Sequence, residues 1–173
     1  MSQPASVFPE HRLRPWLSDV LLPFWSSSGF DEVNGAFGEK FEPSGEATAE
    51  DYTRVRVQAR QIYVFSHAAS AGLSNVGLTR ARRAFAFLEE NAWDGQAGGW
   101  FHRLQRGGPV LDRKKDSYDH AFMLLAMAWL YRAGGDAQVL QRADGTLDYL
   151  DARLGKTLED GLGGYPEGGG LTQ

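Results

Sequence analysis

Polar residues that could do chemistry interrupt two otherwise apolar stretches of the sequence. In "RVRVQARQIYVF" (54–65), Gln58 and Arg60 stand among Val, Ala, Ile and Tyr. An arginine on a buried helix must be paired or line a cavity, and its forked donors suit vicinal hydroxyls or a carbonyl oxygen. An outward-facing Arg60, or one bridging to an acid in the core, explains the same pattern without a ligand, so both interpretations stay open.

The second stretch, "KKDSYDHAFMLLA" (114–126), opens an apolar run with four polar residues. These are Asp116, Tyr118, Asp119 and His120. Asp116 or Ser117 suits a helix N-cap and Asp119 suits the helix dipole, whereas Tyr118 and His120 at the mouth of a buried helix are typical of a cavity. A purely structural His120 is the alternative. A glycosidase pairing of the two aspartates is disfavoured, because Cβ atoms about 5–6 Å apart on one helix turn cannot flank a scissile bond.

Other chemistries lack their signatures. The chain has no cysteine, and its four histidines form no i, i+4 pair. We therefore expect no metal site, and the absence of a P-loop or Rossmann fingerprint predicts no nucleotide cofactor. A net charge of -4 gives no reason to expect a nucleic-acid partner. The most apolar run, Ala121–Tyr131, is shorter than the roughly 20 residues that span a bilayer, so no membrane partner is expected.

Five segments with helical periodicity must position these residues. They are predicted at 12–27, 49–71, 78–93, 117–133 and 137–154. Thr48 and Asp51 resemble a capping box at the start of the second, and Gly72 suits its end. The fourth is apolar nearly all round, which predicts burial on every side, and the third and fifth are amphipathic. This alternation indicates an inner and an outer layer of helices.

Related glycine loops follow the first, third and fifth helices. They read "NGAFGEKFEPSG", "AGGWFHRLQRGG" and "LGGYPEGGG", and Gly35, Gly99 and Gly164 recur at intervals of 64 and 65 residues. The first two loops carry short alternating runs that predict small β-hairpins. The sequence is thus a repeat of two helices and a loop, with about two and a half units in residues 1–173, which we expect to form a single domain.

The motifs "VQARQIYVFSHA", "GGWFHRL" and "KDSYDHAFMLLA", in this order, resemble the N-acylglucosamine 2-epimerase superfamily. The resemblance implies an all-α (α/α)6 barrel, in which inner and outer helices alternate. Six units of about 65 residues would need roughly 390 residues, and the chain has 173. We therefore expect a partial barrel of about five helices with short β-hairpin loops, equivalent to the N-terminal half.

The resemblance also implies an activity and a set of substrate contacts. The family isomerises aldoses to ketoses or epimerises C2 of mannose- or glucose-like sugars, and histidines transfer the proton through an enediol-like intermediate. Arg60 and Tyr118 match family residues that contact the sugar, and Trp100 and His120 are expected near the same cavity. A monosaccharide or disaccharide is the expected ligand, and the expected location is cytoplasmic.

The catalytic histidines of the family lie on its sixth, eighth and twelfth helices, the sixth with a motif like "NPHMHL". The third glycine loop ends at Gln173 without such a motif. We therefore expect no catalytic residue in this chain and no turnover by it alone. The alternative is a non-catalytic carbohydrate-binding or assembly module that completes its barrel with a second chain or self-associates through the open side. The sequence does not distinguish an isomerase from an epimerase, nor one sugar from another.

Overall fold

The computed structural model describes residues 10–153, 156–157 and 163–164. Its helices are α1 (Glu10–Trp16), α2 (Leu22–Ser26), α3 (Val55–Ser70), α4 (Gly77–Asn91), α5 (Ser117–Gly134) and α6 (Ala137–Arg153), with a π-helical segment, Leu17–Leu21, between the first two. The strands are β1 (Phe30–Asp31), β2 (Ala36–Phe37), β3 (Tyr52–Arg54), β4 (Arg103–Gln105), β5 (Val110–Asp112), β6 (Lys156–Thr157) and β7 (Gly163–Gly164).

Helices α3 and α5 form the central pair of the fold. They pack side by side along their length, with α4 against α3 and α6 against α5. Arg60 lies beside Tyr118, and His67 lies beside Trp129 further along both helices, so α3 and α5 run in the same direction. Their N-terminal ends therefore open at the same end of the molecule, which brings the two polar stretches of the sequence together.

The core lies between these helices and explains their patterns. The fully buried side chains include Ala59, Ile62 and Phe65 of α3, Ala81, Ala84 and Leu88 of α4, and Met123, Ala126 and Met127 of α5. The spacing of three and four residues in each set places them on one helical face. The predicted alternation of helices in two layers is therefore present in the described residues.

Several predicted boundaries differ from the structure. Helix α3 begins at Val55 rather than near residue 49, and its N-cap residue, Arg54, makes no side-chain capping bond. The capping-box interpretation of Thr48 and Asp51 is thus wrong, because β3 pairs with β4 and holds residues 52–54 extended. The other end of α3 agrees with prediction, since Gly72 has the left-handed φ of +66°.

Helix α5 is not buried on every side. Its termini follow the sequence, because Asp116 accepts the Asp119 N–H at 2.8 Å and Gly135 closes the helix with φ of 69°. However, Tyr118 is 52% exposed and Leu125 is 38% exposed. These residues lie on a face that the other described elements leave partly exposed, so the expectation of complete burial is wrong for the described part of the chain.

Hairpins form at the first two glycine loops, as predicted. Strands β1 and β2 pair in the first loop, and β4 pairs with both β3 and β5 in the second. In the third, β6 pairs with β7, and the remaining residues of "LGGYPEGGG" lie outside the described residues. Among the helices that the structure describes, none is both long and apolar enough to cross a membrane.

Candidate functional site

Arg60 and Tyr118 meet on the exposed face of α3 and α5. The Arg60 Nη2 donates a hydrogen bond of 2.8 Å to the Tyr118 hydroxyl, and the guanidinium carbon lies 4.3 Å from the centroid of the Phe122 ring. Both residues are exposed, and Arg60 has no acidic partner among the described residues. Its other N–H donors are therefore free to bind a ligand, as the functional interpretation of Arg60 requires.

Gln58 and Arg60 have opposite roles although they are two positions apart. Gln58 is fully buried; its Oε1 accepts the Phe37 N–H at 2.9 Å and its Nε2 donates to the Phe37 carbonyl at 2.6 Å. These two hydrogen bonds take the place of a neighbouring strand for β2 and fix the first hairpin to α3. The polar pair in the sequence thus consists of one structural amide and one exposed guanidinium.

A buried cluster lies directly behind Tyr118. The Oδ2 of Asp119 is 2.5 Å from His102 Nδ1, and the Oδ2 of Asp116 is 3.7 Å from the same nitrogen. Arg56 approaches from α3, with its Nη1 3.8 Å from the Oδ1 of Asp119. Burial raises the pKa of the Asp119 carboxyl, and the charge of Asp116 raises it further, against the opposing hydrogen bond from His102 and the charge of Arg56.

The donor atoms of this cluster could hold a metal ion. One ligand atom from each of His102, Asp116 and Asp119 lies within 4.8 Å of the others, and His102 comes from the loop before β4 whereas both aspartates lie at the start of α5. A search for i, i+4 histidine pairs could not detect this arrangement. Positive charge is already present, since Arg56 faces Asp119 and the Lys114 Nζ lies 3.6 Å from Asp116. Because a divalent ion would face both cations, we interpret the cluster as a hydrogen-bonded acid–imidazole group.

The second glycine loop positions this cluster through contacts that need glycine. Gly99 has φ of +78°, and a Cβ there would meet His120 Nε2 and the Tyr149 ring at 2.8 Å. This close approach lets the Trp100 N–H donate to His120 Nε2 at 3.0 Å. The following residues then run into β4 and place His102 against α5.

Trp100 and His120 are both fully buried. His120 Nδ1 donates to the Asp116 carbonyl at 2.6 Å while Nε2 accepts, so the ring is neutral; burial lowers its pKa from the ordinary value of 6.5. The Trp100 Nε1 donates to Thr146 Oγ1 at 2.9 Å. Neither side chain has surface to offer a ligand, because both hold the loop against α5 and α6. The described residues therefore support a positioning role for this pair rather than the expected sugar contact.

Sequence reasoning missed Arg56 and His102. The signal for Arg56 was its spacing of four residues from Arg60, which puts both side chains on one helical face. His102 had no such signal, since its partner Asp119 is 17 residues away.

The structure also has a cavity of about 320 Å³ beneath the first hairpin, and its lining contains none of the residues expected to contact a sugar.

Known proteins are similar in sequence to much of the chain. The family model described as N-acylglucosamine 2-epimerase matches residues 35–165. The mannose-6-phosphate isomerase of Rhizobium meliloti (strain 1021) is 35% identical over 144 residues, which are 82% of this chain and 36% of that protein. The cellobiose 2-epimerase of Ruminococcus albus is 29% identical over 131 residues, 76% of this chain and 33% of that protein. The chain spans about a third of the length of these relatives.

A solved structure extends the likeness to the fold. The cellobiose 2-epimerase from Spirochaeta thermophila DSM 6192 superposes with a TM-score of 0.82 at 28% identity, covering 95% of this chain and 41% of that chain. The described helices thus form part of an (α/α)6 barrel, as the sequence predicted. Because the family model covers most of its length, this chain belongs to the N-acylglucosamine 2-epimerase family.

Proposed function

We propose that this chain carries part of the substrate site of a sugar isomerase or 2-epimerase. The reaction would be aldose–ketose isomerisation or C2 epimerisation of a mannose- or glucose-like sugar. The observation that carries the proposal is the exposed Arg60–Tyr118 pair, which joins two inner helices through residues 58 positions apart. The chain's similarity to a mannose-6-phosphate isomerase and a cellobiose 2-epimerase supports a sugar as the substrate class.

The chemistry of the pair suits a sugar. A guanidinium offers several N–H donors in one plane, which match adjacent hydroxyl or carbonyl oxygens. The Tyr118 hydroxyl already accepts from Arg60, so its own O–H is directed to another acceptor, and its ring offers an apolar face. Proton transfer between C1 and C2 needs a group that titrates near neutral pH. Since His120 is buried and fully bonded, we propose that this chain binds sugar without turning it over.

Sugar titration followed by NMR tests the binding part of the proposal. Mannose, glucose and cellobiose are added to the labelled chain, and shifts are expected for residues around Arg60 and Tyr118. Arg60→Gln should weaken binding by about 10-fold or more, the usual effect of losing a hydrogen bond to a charged group. Arg132→Gln is the matched control, because Arg132 is an exposed arginine of α5 that packs on Trp129, away from the pair. An equal effect of both variants would contradict the proposal.

A turnover assay tests the catalytic part. Purified chain is incubated with mannose, and fructose and glucose are measured. We expect no product above the level without protein. Clear conversion would show that a proton-transferring group is present in this chain and would overturn the second half of the proposal.

A cytoplasmic location is proposed as well, and cell fractionation tests it.

The exposed face of α3 and α5 favours a second candidate, an assembly module. Val64 is 39% exposed and Leu125 38%, and their spacing of four residues from Arg60 and seven from Tyr118 places both on this face. Apolar side chains grouped in this way are typical of surfaces that another chain covers. Size-exclusion chromatography and light scattering test self-association, with Leu125→Asp as the disrupting variant. A monodisperse monomer at high concentration would count against this candidate.

A further inference from the structure

Two arginines of α3, rather than one, face the proposed sugar site. Arg56 precedes Arg60 by one helical turn, and its guanidinium carbon lies 5.7 Å from the centroid of the Tyr118 ring, against 5.8 Å for Arg60. The Arg56 side chain is 25% exposed, so its guanidinium is not sealed in the core. Both positive charges therefore lie beside one tyrosine, although like charges four residues apart on a helix repel each other.

The acid that offsets this repulsion is Asp119. Its side chain is 0% exposed, and its Oδ1 accepts no hydrogen bond from the described residues. The cation near that oxygen is Arg56, at 3.8 Å, which is within ion-pair range but beyond hydrogen-bond distance. The other oxygen, Oδ2, is occupied by His102. A buried carboxylate oxygen without a donor is unfavourable unless a neighbouring charge compensates it.

We propose that Arg56 is a second sugar-contacting arginine and that Asp119, held by His102, is the residue that positions it. Both oxygens of Asp119 have distinct tasks: Oδ2 fixes the carboxylate against the loop before β4, and Oδ1 attracts Arg56 across the gap between α5 and α3. A ligand hydroxyl beside Arg56 completes the arrangement, because it can accept from the guanidinium and donate to the Oδ1 of Asp119. The inference rests on the proposed sugar site, because Arg56 needs a sugar there to contact.

The charged groups around Asp119 determine how protonation of its carboxylate would affect the two arginines. Arg56 faces it from α3, His102 from the loop before β4, and Asp116 from the N-terminus of α5, where Lys114 in turn contacts Asp116. Protonation of Asp119 removes the attraction for Arg56 and leaves Arg60 unaffected, since Arg60 makes no ion pair among the described residues and instead contacts Tyr118 and Phe122. The two arginines should therefore respond differently to acid.

NMR of the arginine Nε–H groups measures both parts of the inference on the intact chain. Arg56→Lys and Arg60→Lys assign the two resonances. In the absence of sugar, Asp119→Asn should speed hydrogen exchange and side-chain motion at Arg56 and leave Arg60 unchanged. On addition of mannose, the resonances of both arginines should shift in the wild-type chain, and only that of Arg60 in the Asp119→Asn chain. Asp112→Asn is the control for loss of a nearby acid, because Asp112 pairs with Arg103 instead.

Affinity gives a second measure that does not depend on a buried substitution. Arg56→Gln, at a partly exposed position, should fold normally and weaken mannose binding by about 10-fold, the usual effect of losing a hydrogen bond to a charged group. If mannose shifts Arg60 and not Arg56, the inference is overturned and the proposed function stands. If mannose shifts neither, the sugar contact fails together with the proposed function. Unchanged Arg56 exchange in Asp119→Asn overturns the positioning role whatever mannose does.

Discussion

Replacing Gly99 by alanine should disturb the candidate site more than the same substitution at Gly72 or Gly95. The residue has φ of +78°, and an added Cβ would lie 2.8 Å from His120 Nε2 and from the Tyr149 ring. The left-handed backbone alone costs an alanine about 1 kcal/mol. The methyl group must also push the loop away and break the bond from Trp100 N–H to His120 Nε2, both of which are buried. Unsatisfied buried groups add about 1–3 kcal/mol, giving about 2–4 kcal/mol in all.

Two other glycines separate these contributions. Gly72 also has a left-handed φ, +66°, but a Cβ there meets nothing within 4 Å, so Gly72→Ala should cost only about 1 kcal/mol. Gly95 lies near Gly99 in sequence, outside the left-handed region and with open space around it. Gly95→Ala should therefore change stability by less than about 1 kcal/mol.

Urea unfolding followed by circular dichroism measures all three free energies of unfolding. We expect the order Gly99→Ala, then Gly72→Ala, then Gly95→Ala, from most to least destabilised. The Trp100 amide should also lose hydrogen-exchange protection in Gly99→Ala. A Gly99→Ala chain no less stable than Gly72→Ala would refute the claim that close approach to His120, rather than backbone conformation, requires glycine here.

Three further predictions concern the groups around the site. Because burial lowers the pKa of His120 below its ordinary 6.5, its contribution to stability is complete above pH 6.5 and is lost as the pH falls through the lowered value; urea unfolding across this range should show the loss, and His120→Asn should flatten that part of the profile. Gln58→Leu should destabilise the chain by about 2–4 kcal/mol, because both backbone groups of Phe37 lose their partner, and an unfolding free energy within error of wild type would exclude this role. Prolonged chelation, measured by thermal unfolding, should leave the midpoint unchanged, and a fall reversed by Zn²⁺ or Mn²⁺ would instead identify the His102 cluster as a metal site.

The extent of agreement between sequence and structure depends on the range of the interactions. Periodic apolar residues predicted the positions of the four longer helices, α3 to α6, because an amphipathic stripe is a local property. The capping box at Thr48 failed, because pairing of β3 with β4 joins residues about 50 positions apart and overrides a weak local preference. The burial of α5 was overestimated, since composition shows how apolar a helix is and not which of its faces has a neighbour.

By itself, the sequence determined the repeat of helices and glycine loops and the two polar motifs at the starts of the inner helices, and its resemblance to a known family singled out Arg60 and Tyr118 as expected sugar contacts. Only the tertiary structure decided what each polar side chain does. It turned Gln58 inward and Arg60 outward, enclosed His120, and brought His102 to Asp119 behind the arginines. The physical reason is that helical spacing fixes the direction of a side chain along its own helix, whereas burial and hydrogen-bond partners depend on which distant segment packs against that helix.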